Sequence, residues 1–145
     1  MHVLDANILL YAYDADSAHH KRVFAALDEL LATGETVYLP WLAVVAFVRV
    51  ASSPGLLKRP LSLSDAFGII EELFDEPNVR VLDPGPTHLR EFRDAAEDGQ
   101  VTGPMVTDAH LAALAIENGI QFWSADKDFS RFSRLRWKNP LLRAK

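Results

Sequence analysis

Three aspartates stand where an α/β chain can bring them to one place. Asp5 closes the apolar run His2-Val3-Leu4, Asp108 opens a helix-like segment that reads on through Ala115, and Asp126 follows the strand-like run Ile120-Gln121-Phe122-Trp123-Ser124. Carboxylates at the carboxyl ends of parallel strands converge on the crevice where such folds bind ligands. Gathered carboxylates repel one another, and a hard cation such as Mg²⁺ or Mn²⁺ relieves that repulsion. The chemistry such a set suits is phosphodiester hydrolysis, in which divalent cations activate water and stabilise developing charge without a covalent nucleophile. The chain has no cysteine and no Gly-x-Ser-x-Gly elbow, in keeping with that route. Asn7 and Ser124 flank two of the acids and could orient a ligand or bound water.

Each aspartate also has a purely structural reading. Asp5 could cap the helix after the first strand, Asp108 could serve a helix dipole, and Asp126 could hold an Asx turn before Lys127. These readings stay open for each residue singly. They weaken jointly, because three strand-to-helix junctions that could share one sheet edge all carry Asp. Zinc fits less well: the five histidines show no His-Glu-x-x-His pattern, and the adjacent His19 and His20 read as exposed residues near a helix start. His110, two residues after Asp108, projects away from it on a helix.

The elements that must position these residues alternate along the chain. A strand at Val3-Leu4 runs into a short helix over 7–13, and a longer helix follows over 17–32, with Val23, Leu27, Leu30 and Leu31 on one face and Gly34 closing it. Val37-Tyr38-Leu39 is a second strand, and Pro40 opens a helix at its permitted first-turn position. In that helix Leu42, Val45, Val48 and Arg49 define a buried face ending in a charge. Ser53-Pro54-Gly55 breaks it, and Ser62 or Ser64 caps the next helix, whose apolar stripe is Phe67, Ile70, Leu73 and Phe74. Val79-Arg80-Val81-Leu82 is a third strand, 87–98 a helix ended by Gly99, and the Asp108 helix runs to Asn118-Gly119. Residues 121–124 form a fourth strand and Leu135-Arg136-Trp137 a possible fifth. Helices of this length between strands imply right-handed crossovers, hence a three-layer α/β/α domain with a central parallel sheet of four to five strands.

Composition bounds the rest. The 145 residues, 49% hydrophobic, suffice for one domain spanning 1–145 with a full core. No apolar stretch approaches the roughly 20 residues of a membrane helix, and the amino terminus has no basic region before an apolar core, so a cytoplasmic protein is expected. The net charge of −5 is unevenly spread. Residues 127–145 carry a local +6 from Lys127, Arg131, Arg134, Arg136, Lys138, Arg143 and Lys145 against Asp128 alone. Residues 36–64 contain no acid but hold Arg49, Lys58 and Arg59. Such patches can track a phosphate backbone or can simply form a solvated surface.

Five segments together resemble one family. Val3-Leu4-Asp5-Ala6-Asn7, Phe47-Val48-Arg49-Val50, Val106-Thr107-Asp108-Ala109-His110-Leu111-Ala112, Ser124-Ala125-Asp126-Lys127-Asp128-Phe129 and Leu135-Arg136-Trp137-Lys138-Asn139-Pro140 match, in order and over nearly the whole chain, the PIN-domain ribonucleases of the VapC toxin type. The resemblance implies a Mg²⁺- or Mn²⁺-dependent endoribonuclease acting on cellular RNA, often transfer or ribosomal RNA. It also implies a cognate VapB-type antitoxin and a toxin homodimer. By position, Asp5 and Asp108 would be the principal metal ligands and catalytic acids, with Asp126 completing the site. Asn7 and Ser124 would orient the carboxylates, Asp128 would be an auxiliary acid, and Arg49 would face RNA phosphate or pair with an acid. The antitoxin would thread a groove among the early helices, where 41–50 and 56–63 could form the walls or ordinary core.

The chain departs from the family at one position. Where the resemblance calls for a glutamate before Phe47-Val48-Arg49, this sequence has Ala46, and no neighbouring acid replaces it. One firmly held ion is therefore expected rather than two. The rival reading is a degenerate PIN domain that binds RNA or an antitoxin without cutting. A haloacid-dehalogenase-type phosphatase would need an acid where Asn7 stands, and a response-regulator receiver would need an acidic pair that is not evident.

Overall fold

The computed structural model describes residues 1–142. Arg143 and Lys145, two of the basic residues near the carboxyl end, lie outside the described residues. Five strands, β1 (His2–Leu4), β2 (Val37–Pro40), β3 (Val79–Leu82), β4 (Gln121–Trp123) and β5 (Trp137–Lys138), form one sheet in the order β3-β2-β1-β4-β5. Every pairing is parallel, with His2 opposite both Val37 and Gln121. The chain builds outward from β1 to β2 and β3, then returns to the other side of β1 for β4 and β5. The strand order therefore reverses between β1 and β4, and a crevice opens beyond their carboxyl ends.

Six α-helices cover the two faces: α1 (Ala6–Tyr13), α2 (His20–Ala32), α3 (Trp41–Ala51), α4 (Leu63–Asp75), α5 (His88–Asp98) and α6 (Val106–Asn118). One core cluster joins Leu4, Val37 and Leu39 to α1 through α4, with Ile8, Leu27, Phe47 and Ile70 at its centre. The other joins Val3 and Phe122 to α5 and α6. Successive strand residues point to opposite faces, so Val3 and Leu4 fall in different clusters. The three layers follow the alternation of elements in the sequence.

Helix α6 is buried nearly all round, and four alanines (Ala109, Ala112, Ala113, Ala115) let it approach its neighbours closely. Gly119 ends it in the left-handed conformation (φ 64°), where a side chain would be strained. Ser62 caps α4 by accepting from the Asp65 amide at 3.0 Å. No helix among the described residues is long and apolar enough to cross a membrane.

Three sequence expectations need correction. Leu42 and Val45 do not belong to the buried face of α3; they are exposed, and Ala43, Val44, Phe47, Val48 and Ala51 face the core instead. The helix is apolar almost throughout, so periodicity alone could not choose its inner side. Phe67 likewise leaves the α4 stripe for solvent, because Ala66, Ile70 and Leu73 suffice to seat that helix. Pro40 ends β2 opposite Leu82 rather than opening α3, which starts at Trp41. Smaller shifts occur at α2, which begins at His20 after a turn in which Ser17 accepts from the His19 amide, and at β5, which lies at Trp137–Lys138. Two short 3₁₀ turns, Gly103–Met105 and Lys127–Arg131, carry no apolar period that would announce them.

Candidate metal centre

The switch point between β1 and β4 is stitched by polar side chains. The Asp5 amide continues the ladder, donating to the Trp123 carbonyl at 2.9 Å. Its Oδ1 caps α1 by accepting from the Ala6 amide at 2.8 Å. Its Oδ2 accepts from the Ser124 hydroxyl at 2.8 Å and from Asn7 Nδ2 at 3.3 Å. Ser124 is fully buried, and its Oγ also accepts from Asn7 Nδ2 at 3.0 Å and from the Asp126 amide at 3.0 Å. Asn7 Oδ1 closes the ring by accepting from the Ala125 amide at 3.1 Å. Ser124 and Asn7 thus hold both strand ends and the Asp5 carboxylate in one geometry.

Asp126 caps the second 3₁₀ turn, its Oδ1 accepting from the Asp128 amide at 2.9 Å. That tight turn brings Asp126 and Asp128 to the same side. Asp108 reaches the place from α6, in the first turn of the helix. Among the described residues no donor reaches its carboxylate. One oxygen from each of Asp108, Asp126 and Asp128 lies within 4.8 Å of the others, a spacing that a single cation can span. Asp5 stands beside this trio, and Asp5 and Asp108 line a cavity of about 260 Å³.

The electrostatics fit a site short of positive charge. Burial pushes the Asp5 carboxyl up, against hydrogen bonds from Ser124 and the Ala6 amide, while Asp126 adds to the rise. The Asp108 carboxyl is pushed up to about 6, first by its partial burial and then by Asp126, Asp5 and Asp128, with Arg131 opposing. An all-oxygen donor set of this kind suits Mg²⁺ or Mn²⁺ and gives a thiophilic ion nothing to hold.

The opposite wall of the cavity comes from α3 and contributes Ala46 and Arg49 in place of a carboxylate. Arg49 is exposed, and among the described residues no acid pairs with it. It also lines an adjoining apolar groove with Trp41, Val45, Val48, Leu63 and Phe67. All the candidate residues read from the sequence therefore gather around one crevice. Asp128, expected as an auxiliary, sits within the tight carboxylate trio, while Asp5 lies in the hydrogen-bonded layer beside it.

Two features escaped the sequence reading. His88 Nδ1 lies 3.0 Å from Glu117, and its Nε2 lies 2.8 Å from His110 Nδ1, tying α5 to α6. His110 thus turns toward α5, a partner that its two-residue offset from Asp108, which only points it away from that acid, does not name. Arg131 is the other; its place is legible only once the turn that carries it is known.

Comparison with known proteins follows the same lines. The family model described as PIN domain matches residues 2–135. "Ribonuclease VapC43" of Mycobacterium tuberculosis is 38% identical over 138 residues, covering 95% of this chain and 94% of the relative. "Ribonuclease VapC37" of the same organism is 36% identical, covering 97% of each. In fold, the chain is similar to a solved structure of FitAB bound to an IR36 DNA fragment, with a TM-score of 0.72 at 19% identity over 100% of this chain and 99% of the other. It is also similar to VapBC2 from Rickettsia felis bound to a promoter DNA fragment, with a TM-score of 0.68 at 18% identity over 95% and 97%.

Proposed function

Because this chain belongs to the PIN-domain family, and within it to the VapC group, we propose that it is the toxin of a type II toxin–antitoxin pair, a divalent-metal-dependent endoribonuclease hydrolysing phosphodiester bonds of cellular RNA. Structured transfer or ribosomal RNA is the substrate class, and the site of action is the cytoplasm. A single PIN domain over 1–145, working as a homodimer, carries the activity. The observation that carries this reading is the meeting of Asp108, Asp126 and Asp128 beside Asp5 at the strand switch point, where among the described residues no Lys or Arg forms an ion pair with them.

Asp108, Asp126 and Asp5, with Asp128 alongside, would hold Mg²⁺ or Mn²⁺, and a cation so held supplies Lewis acidity for phosphodiester hydrolysis. The chain's own groups do the rest. Ser124 and Asn7 aim Asp5, and the Ser124 hydrogen bond opposes the rise that burial imposes on its carboxyl. Arg49, exposed at the opposite wall, binds a phosphate of the RNA. With Ala46 between them, that wall adds no ligand, and the site holds one ion firmly.

The partner is a VapB-type antitoxin, and the groove beside Arg49 is its seat. Trp41 (54% exposed), Val45 (60%), Leu63 (58%) and Phe67 (47%) leave a contiguous apolar surface uncovered there. Such patches on otherwise polar surfaces mark binding sites for other chains.

Ala46 favours a second reading, a PIN domain that binds without cutting. The test is cleavage of total cellular RNA with Mg²⁺ or Mn²⁺, comparing the wild type with Asp5→Ala and Asp108→Ala. Cutting that needs the metal and disappears in both variants supports the nuclease. An inert wild type that still binds RNA identifies the binding module.

A further inference from the structure

The turn that carries Asp126 and Asp128 is fastened at its far end to the end of α5. Arg131, the last residue of the turn, donates from Nη1 to the Gly99 carbonyl at 3.1 Å. Phe132 lays its ring on Gly99 so closely that a Cβ there would meet the ring at 2.6 Å. Ser133 completes the fastening, with its amide donating to Asp98 at 2.8 Å and its hydroxyl to the same carboxylate at 2.9 Å. Three consecutive residues thus grip the last two residues of one helix end, Asp98 and Gly99. The segment that leaves Gly99 runs through Gly103–Met105 into α6 and Asp108. The clasp therefore ties together the two chain segments that deliver the carboxylate trio.

Arg131 is an unusual choice if its purpose were only to bridge to a carbonyl. Its Nε is buried and has no partner, and no acid forms an ion pair with its guanidinium among the described residues. A buried, unpartnered donor costs stability, so the rest of the site must make the side chain worth keeping there. Its charge is also felt at Asp108, against three acids.

We propose that Arg131 is a positioning residue of the acidic centre, which through the Arg131–Gly99, Phe132–Gly99 and Ser133–Asp98 contacts holds the Asp126–Asp128 turn in register with Asp108. The inference rests on the reading of that centre as a metal site, and its test separates the two. Arg131→Met removes the fastening, Arg131→Lys keeps a donor for the Gly99 carbonyl, and Gly99→Ala drives the Phe132 ring away without altering any charge.

The measurements are hydrogen exchange at the Asp128 and Phe129 amides and Mn²⁺ titration of the full chain. In Arg131→Met and Gly99→Ala both amides exchange faster while α6 keeps its protection, and the Mn²⁺ dissociation constant rises roughly tenfold, the effect seen when groups supporting metal ligands are lost. Arg131→Lys recovers most of both. The direction is diagnostic, because losing a cation beside carboxylates would by itself tighten Mn²⁺ binding. Unchanged exchange in folded Arg131→Met and Gly99→Ala, or Mn²⁺ binding as tight as in the wild type, overturns the proposal. A wild type that binds no Mn²⁺ defeats the metal-site reading, while the exchange measurement still decides the clasp. If Arg131→Met does not fold, Ser133→Ala, which loses the hydroxyl contacts to Asp98 and keeps the amide one, carries the same two outcomes in smaller measure.

Discussion

Ser124 donates its hydroxyl to Asp5 at 2.8 Å from the far side of the seam between β4 and β1. The two residues lie 119 positions apart in the chain, and the bond exists only because the parallel pairing of β1 with β4 sets their registers together. A fully buried hydroxyl here holds a carboxylate whose ionisation is opposed by burial.

Ser124→Ala therefore removes a charge-assisted hydrogen bond and leaves part of the ring of Asn7, Ala125 and Asp126 contacts without its hub. The loss is about 1–3 kcal/mol in a urea melt without metal. The Asp5 carboxyl rises further, since a donor to its charged form is gone. Mn²⁺ binding weakens roughly tenfold or more. A variant with wild-type stability and affinity would show that Asn7 alone suffices to hold Asp5.

The raised Asp108 carboxyl makes metal binding and stability depend on pH in opposite senses. Its value near 6 in the fold, against 3.8 for an ordinary aspartate, means the folded chain holds this proton more tightly than the unfolded one. The group's favourable contribution is full below about pH 4 and is lost as pH rises through about 6, where the bare carboxylate becomes a standing cost. A cation requires the ionised form and removes that cost. Saturating Mn²⁺ should accordingly raise the Tm much more at about pH 7.5 than at about pH 5. Equal shifts at both values would mean that Asp108 does not bind the ion.

Arg49 and the acids face one another across the cavity, so their variants should separate binding from chemistry. Arg49→Ala should raise KM for RNA about tenfold and flatten its salt dependence by about one counterion, as expected for one lost phosphate contact. Its Mn²⁺ affinity should hold or tighten, since a cation has left the wall. Asp108→Asn should instead abolish kcat with RNA binding retained. A loss of Mn²⁺ affinity in Arg49→Ala would place the guanidinium among the groups that organise the acids.

Leu63→Asp and Phe67→Asp test the groove at residues that do not line the acid cavity. Both side chains are about half exposed, so the isolated chain should lose little stability in a thermal melt. Capture of the cognate antitoxin should fall by two orders of magnitude or more, because a desolvated carboxylate would face an apolar partner. Unchanged capture would move the partner's seat elsewhere.

Much of this was legible in the sequence because the signals were local. Asp5 follows an apolar run and precedes a helix, Gly119 follows the last buried turn of α6, and strands alternate with helices of crossover length. These patterns fix the sheet's direction and the edge on which the acids meet. What stayed hidden was either ambiguous by period or long-range. Helix α3 offers an apolar residue at nearly every position, so only packing decides that Phe47 goes in and Val45 stays out. The Arg131–Gly99 contact joins a 3₁₀ turn to a helix end 32 residues away, and neither partner is unusual in its own stretch of chain. Asp128 gains its place in the trio from the tightness of that turn, which carries no hydrophobic period to announce it.

Ala46 is the position where adding one group should change the count of ions. It sits half-buried on the α3 wall of the cavity that Asp5 and Asp108 also line. Glutamate is a good helix former, so Ala46→Glu costs the helix only a few tenths of a kcal/mol. Its carboxylate would enter a space whose existing acids already repel one another, and would further raise the Asp5 and Asp108 carboxyls without metal. With Mn²⁺ present the same charge becomes a ligand on the wall that lacks one. Isothermal titration should give one tight site per chain for the wild type and two for Ala46→Glu. Two tight sites in the wild type would show that the existing acids need no help from α3, and the one-ion reading would then be wrong.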